Sequence, residues 1–303
     1  MRSYGRWLLL GLWLLPAGIL AQPAPAEPEV FVQWYPEQPG RGDPLVVEVR
    51  LEGEGAADWK IGATFLKHRL AFFPWGEQQR ALAPIAVTTE AGTHPLQVVL
   101  TRGEGEARQT LERTVGVPVA EVEFEQSTLR VSPRFTSPPK QARARIRRER
   151  ALIKKAWRKQ SDQRLWRGAF QRPMTTEVTG VFGTERVFND KVESRHLGLD
   201  LDGKTGDPIQ AVAGGRVVLA GHLFYTGRCV FIDHGLGLFS VYFHMSELKV
   251  AEGDRVEKGQ VIGLVGRSGR VTGPHLHFGA KLQGVYVRPS TLFALPLGDD
   301  PGA

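Results

Sequence analysis

The spacing of apolar residues divides the chain into stretches of different character. From Glu29 to Pro118 short β-type runs alternate with turns. Val30-Phe31-Val32 is followed by Pro44-Leu45-Val46-Val47-Glu48-Val49-Arg50-Leu51, and further runs lie around Leu82 to Val87 and Leu96 to Leu100. Gly53-Glu54-Gly55 and Gly103-Glu104-Gly105 supply turn chemistry between them. Roughly seven strands at this spacing predict a small β-sandwich over 29–118, Ig-like in architecture.

The period changes after Ser137. Pro138 and Pro139 close an extended segment, and Ile146, Ile153 and Trp157, with Leu152 and Ala156, then recur at helical spacing. Residues 119–172 therefore read as an extended segment plus an amphipathic helix. From 173 to 297 the chain is β-rich again, with strands at Ile209–Val212, Gly215–Leu219, Arg228–Ile232 and Phe239–Phe243. Short glycine-containing connections predict an antiparallel sheet, and no βαβ rhythm appears. The whole is predicted to be mainly β: a sandwich, a helical linker and a C-terminal antiparallel sheet.

At the N-terminus Arg2 and Arg6 precede the apolar run Trp7 to Leu20 and the small residue Ala21. This order reads as a signal peptide over 1–21. The run is short for a membrane span and Pro16 interrupts it, so cleavage and export are expected, to the periplasm or to the extracellular cell wall. An uncleaved anchor is the lesser alternative. The 303 residues carry a net charge of +7, which suits an anionic partner. Much of the excess falls on the outer face of the helix, in Arg143, Arg145, Arg147, Arg148, Arg150, Lys154, Lys155, Arg158 and Lys159. That face is either simply solvated or an electrostatic contact with an anionic wall polymer or a membrane surface; export argues against sequence-specific nucleic-acid binding. Cys229, the single cysteine, cannot form an intrachain disulfide and lies in an apolar run as a core residue.

Candidate chemistry is confined to the C-terminal part. In Thr272-Gly273-Pro274-His275-Leu276-His277-Phe278 a strand would send His275 and His277 to one face, and Leu276 and Phe278 to the other. Two such imidazoles can be two metal ligands, or one ligand and one general base. In Tyr242-Phe243-His244, Tyr242 and His244 would share a face with Phe243 buried opposite. In His196-Leu197-Gly198-Leu199-Asp200, fully extended Cα atoms of His196 and Asp200 would lie roughly 13 Å apart at about 3.3 Å per residue. Convergence on one metal therefore requires His196 to sit in a bend before the strand, eased by Gly198. His68 and His94 are isolated; His222 and His234 suit turn or supporting roles. Ser268 and Thr272 shape the turn before the HLH strand or contact substrate.

The ordered set HxxxD, YxH and HLHF after a glycine-rich corner resembles the M23 metallopeptidases of the LytM/lysostaphin type. The resemblance is close from Thr179 to Pro289, and Phe182-Gly183, Arg186 and Asn189 look like the segment that leads into HxxxD. More loosely, a sandwich plus helix resembles the N-terminal part of certain exported members. The resemblance implies that His196, Asp200 and His277 bind one zinc ion and that His244 and His275 are catalytic. It further implies hydrolysis of peptide bonds in peptidoglycan cross-links or stems by a zinc-activated water. The usual HLHFE ending is replaced by Phe278-Gly279. Two rivals belong to other classes: a non-catalytic amidase activator, whose signature would be lost ligands, and a wall-binding module built on the basic helix.

Overall fold

The computed structural model describes residues 27–190 and 192–298; the expected signal peptide lies outside them. The first eight strands are β1 (Glu29–Tyr35), β2 (Pro44–Glu52), β3 (Lys60–Phe65), β4 (His68–Arg69), β5 (Phe72–Trp75), β6 (Gln78–Pro84), β7 (Gly92–Arg102) and β8 (Gln109–Val119). They form two four-stranded antiparallel sheets, β1-β2-β6-β5 and β4-β3-β7-β8. Leu45, Val47 and Val49 of β2 meet Phe65, Leu96, Val98 and Leu100 of the second sheet in one core.

The intervening residues of the first sheet explain why alternation on β2 is only partial. Val46 points the other way, as do Phe73, Trp75 and Leu82, into a second core that includes Trp166, Phe170 and the C-terminal sheet. The first sheet is therefore apolar on both faces. Each fully buried side chain of this kind contributes roughly 1.5–3 kcal/mol, against at most about 1 for a surface ion pair, so apolar packing dominates the contact between the two halves. Thr291 Oγ1 donates to Asp43 Oδ1 at 2.7 Å across the same contact.

The connecting segment carries β9 (Gln126–Leu129), α1 (Pro133–Thr136) and α2 (Lys140–Ala156). Helix α2 buries Ile146, Glu149 and Ala156. Ala156 joins Val218, Leu219, Cys229, Phe231 and Phe239 in a third core, with Trp157 at 5.0 Å from Phe231 and 5.1 Å from Phe239. One expectation changes. Leu152, assigned to the apolar stripe, is 51% exposed. Glu149, within the basic run, is buried and accepts from Phe224 N at 2.8 Å and Arg145 Nε at 2.5 Å, which satisfies its charge. Cys229 is a closed core residue whose thiol burial pushes up to about 12.

The remaining elements are β10 (Val178–Gly180), β11 (Glu185–Phe188), β12 (Val192–Arg195), β13 (Leu199–Asp202), β14 (Pro208–Gln210), β15 (Gly215–Leu223), β16 (Gly227–Gly235), β17 (Leu238–Met245), β18 (Glu247–Leu248), β19 (Arg255–Val256), β20 (Val261–Leu264), β21 (His275–Leu282), β22 (Val285–Val287) and α3 (Pro289–Ala294). The large sheet runs β10-β13-β21-β17-β16-β15-β19, with β22 on β21. Strands β14-β20-β18 form a small sheet, and β12-β11-β9 another. In the latter, β9 of the connecting segment pairs in parallel with β11. The fold is mainly β and largely antiparallel, as expected. Among the described residues no helix is long and apolar enough to cross a membrane.

Trp166 is 1% exposed and lies edge-on to Phe73 at 5.6 Å, across the contact between the two halves. Trp166→Ala is expected to lower the unfolding free energy by about 3–5 kcal/mol in a urea titration, whereas Leu152→Ala changes it by no more than about 0.5 kcal/mol.

Candidate metal centre and groove

Strand β13 lies between β10 and β21, and its register sets Asp200 opposite His277 and Asp202 opposite His275. Cross-strand partners share a face, so the Asp200 carboxylate and the His277 imidazole leave the sheet side by side. His196 lies outside the strands, in the irregular link between β12 and β13, and the expected bend falls at Gly198. Its Nδ1–H donates to Val181 O at 2.7 Å, which leaves the Nε2 lone pair facing Asp200 Oδ1 at 2.9 Å and His277 Nδ1 at 3.0 Å. His277 Nδ1 is 2.9 Å from the same Oδ1.

This triangle has too many acceptors. With His196 Nδ1 committed to a carbonyl, at most one proton can serve three converging lone pairs. A cation satisfies all three at once, and these are the described His, Asp and Glu side chains able to hold one. Two imidazoles and one carboxylate fit zinc and leave a fourth position for substrate or water. Arg186 Nη2 donates to Asp200 Oδ2 at 2.7 Å, reserving Oδ1 for the centre. Burial pushes the Asp200 carboxyl up, but hydrogen bonds to His196 and His277 and their charges prevail and hold it well below the usual carboxylate range. Burial also lowers the His277 pKa, with Asp200 opposing.

Gly198 makes room for the triangle. A Cβ there would lie 2.5 Å from Phe278 O and 2.6 Å from the His277 ring. Gly279, which replaces the usual glutamate, packs against Val241, where a Cβ would meet Cγ2 at 2.8 Å.

Strand β17 departs from simple alternation. Tyr242 points into the main core, where its hydroxyl accepts from Val212 N at 3.0 Å. Phe243, expected to be buried away from the site, stacks on His277 with centroids 5.0 Å apart and an interplanar angle of 10°. The β16–β17 register slips here: Val230 pairs with Tyr242 but Arg228 with Met245. Two residues of β17 thus oppose one of β16, a bulge, and His244 takes φ +68°. This left-handed residue brings the imidazole to the site side despite its parity with Tyr242. Such backbone costs about 1–3 kcal/mol and persists where the surroundings enforce it. Here His244 N donates to Thr226 O at 2.9 Å and His244 Nδ1 to Ser268 O at 2.8 Å.

His275 Nδ1 likewise donates to a carbonyl, Gly273 O at 3.0 Å. Both Nε2 atoms are then acceptors. The two rings are 5.0 Å apart, and His275 Nε2 lies 3.9 Å from Asp200 Oδ1. Burial, reinforced by the charges of His277 and His275, pushes the His244 pKa down to about 3.

The structure thus brings His196, Asp200, His244, His275 and His277 together around one cavity of about 440 Å³. His222 and His234 are elsewhere. His234 is fully buried, donates from Nδ1 to Gly214 O at 2.7 Å and accepts from Ser240 Oγ at 2.7 Å. Burial pushes its pKa down to about 4. This Ser–His pair has no access to substrate and is structural. Ser268 shapes the turn, as anticipated, with its Oγ accepting from Arg228 N and donating to Met245 O, both at 2.8 Å. Thr272 lines the cavity.

Three contributors were invisible to motif spacing. Leu129 and Val131, from the connecting segment, and Arg270, beside the HLH turn, also line the cavity. Asn189 holds Val131 in place, accepting from its N–H at 2.9 Å and donating to its carbonyl at 2.7 Å. The parallel β9–β11 pairing joins residues about sixty positions apart and leaves no local signature.

Residues 194–289 match the sequence model of Peptidase family M23. The C-terminal part of the chain belongs to peptidase family M23. Over 101 residues, 33% of this chain, it is 42% identical to the DD-carboxypeptidase/endopeptidase Mpg of Neisseria meningitidis serogroup B, and the match covers 23% of Mpg. It is 37% identical over 97 residues to the peptidoglycan DD-endopeptidase ShyC of Vibrio cholerae, covering 32% of this chain and 22% of ShyC. The matched M23 region thus spans under a quarter of these relatives' length. A Pseudomonas aeruginosa crystal structure assigned to peptidase M23 superposes over 84% of this chain and 95% of its own, with TM-score 0.62 and 27% identity. The likeness therefore reaches beyond the M23 region into the sandwich.

Gly198→Ala should displace the His277 ring and weaken binding of an added divalent metal ion such as zinc by about 10- to 100-fold, measured by competition with a chromogenic chelator. Unchanged affinity would show that the ring moves without cost.

Proposed function

We propose that the protein is an exported zinc metalloendopeptidase that hydrolyses peptide bonds in the cross-links or stems of bacterial peptidoglycan. The observation that carries this reading is the convergence of His196 Nε2, Asp200 Oδ1 and His277 Nδ1 at 2.9–3.0 Å beside two further imidazoles with free Nε2 atoms. His196, Asp200 and His277 would hold the zinc. When bound, zinc supplies Lewis acidity and lowers the pKa of water from about 15.7 toward about 7. Names of the relatives, DD-endopeptidases of peptidoglycan among them, support the substrate class and an envelope location.

The chain's own groups then handle protons and charge. His244 and His275 each keep Nδ1–H on a backbone carbonyl, so Nε2 is the nitrogen that accepts a proton from the attacking water. The same burial that keeps His244 neutral makes its imidazolium short-lived, which favours passing the proton to the departing amine. Whichever of the two imidazoles holds that single proton lies beside the cavity where negative charge develops on the scissile carbonyl. Phe243, stacked on His277, and Leu129 and Val131, which line the same cavity, limit water around the reacting atoms.

The sandwich reading rests on strand order. The order β1-β2-β6-β5 against β4-β3-β7-β8 supports an Ig-like reading, in which the sheets would be ABED and CFG with one extra edge strand. On α2 Arg143, Arg147, Arg148, Arg150, Lys154 and Lys155 are exposed, as is Arg158 in the turn that follows, which supports contact with an anionic wall polymer or membrane surface.

His277→Ala is expected to lose both bound zinc and release of muropeptides from purified peptidoglycan, read by mass spectrometry. His244→Ala should keep its zinc while kcat falls by about 10²- to 10⁴-fold. A His277→Ala protein that cleaves like the wild type would sink the mechanism. Replacing Arg147, Arg148, Lys154 and Lys155 by glutamine should reduce co-sedimentation with walls at low salt, the difference vanishing as salt is raised. Equal sedimentation at low salt would refute the helix contact.

A further inference from the structure

Arg270 stands in the groove with its charge unanswered. Its backbone N–H donates to Tyr225 O at 2.8 Å, and its guanidinium covers Phe188 at 4.3 Å and Tyr225 at 5.4 Å. Gly269, at φ +83°, makes this anchoring possible, because a Cβ there would lie 2.4–2.5 Å from the backbone of Gly227 and Tyr225. The guanidinium is thus oriented before any ligand arrives. Among the described residues no carboxylate pairs with it. Burial lowers the Arg270 pKa; Tyr225 opposes this, and the like charge of Arg186 adds to it.

Arg186 does not supply the missing anion and itself has hydrogen-bonding capacity to spare. It gives Nη2 to Asp200, yet its Nε is buried without a partner. Two like charges in a half-enclosed groove repel, and the Asp200 carboxylate is already shared with two histidines. A stacked, pre-oriented guanidinium that lacks an anion is suited to bidentate capture of a carboxylate. Both arginines and the five centre residues line the same cavity, so such a carboxylate would belong to the molecule being cleaved.

We infer that Arg270, with Arg186 behind it, forms a carboxylate-binding subsite that selects acidic stem peptides, a specificity that rests on the peptidase reading above. Peptidoglycan stems carry free carboxylates at the γ-linked glutamate and, in many walls, at the third-position diamino acid. Some stems are amidated at one or both. The subsite separates the acidic forms from the amidated ones, because an amide brings no charge and turns an N–H donor toward the arginine.

The test uses one cross-linked peptide in four forms: free acid, amidated at the glutamate, amidated at the diamino acid, and amidated at both. For the wild-type protein, amidating the recognised carboxyl is expected to lower kcat/KM by about 10- to 100-fold, chiefly through KM. Arg270→Gln should lose a similar factor on the acidic form and change little on the fully amidated one; Arg270→Lys should fall between. Equilibrium binding of the same peptides to the His277→Ala protein, by calorimetry, provides a readout without turnover. Acidic peptide that binds better than its amide but is not cut by the wild type would overturn the peptidase reading and leave the subsite standing. Equal binding of all four forms would overturn the subsite, as would equal losses by Arg270→Gln on acidic and amidated peptides.

Discussion

The pairing of β13 with β21 is the constraint on which the site depends. Its register sets the Asp200 carboxylate across from the His277 imidazole, and a one-residue slip would turn both to the opposite face. Leu199, Leu201, Leu276 and Phe278 hold that register from the other side, since all four are buried in the main core. Hydrophobic burial thus determines where the converging atoms are. The third of them, His196 Nε2, is added by a connection that only a glycine at 198 accommodates. Polar convergence follows from apolar packing.

The histidines divide according to how their second nitrogen is used. His196, His244 and His275 each commit Nδ1–H to a backbone carbonyl, which leaves Nε2 free. His277 instead presents Nδ1 to the centre. Backbone carbonyls therefore decide which nitrogen of three of these imidazoles faces the cavity. For His244 this requires a bulge and a left-handed residue, strain concentrated beside the cavity.

Packing of the connecting segment joins the two halves of the chain at the groove. Strand β9 extends the β12-β11 hairpin and brings Leu129 and Val131 to the cavity, while Trp166 binds the outer face of the sandwich to the M23 sheet. The groove's shape thus depends on the connecting segment as well as on the M23 region.

Much of the site was legible in the sequence, because strand periodicity is a local property. Alternation in 275–278 and 196–201 was enough to predict which side chains share a face and that His196 must bend, and family resemblance added the roles. The two sandwich sheets followed from runs and turns in the same way. What only tertiary structure decided was non-local. The bulge at His244 depends on pairing with β16, so Phe243 was assigned to the wrong face. Leu152 fits a helical stripe by spacing, yet the neighbouring core does not reach it. Val46 and Leu82 look like ordinary strand residues until a second core covers them. Arg270 carried no motif, and its place became visible only once Phe188 and Tyr225 supplied the surfaces that hold it.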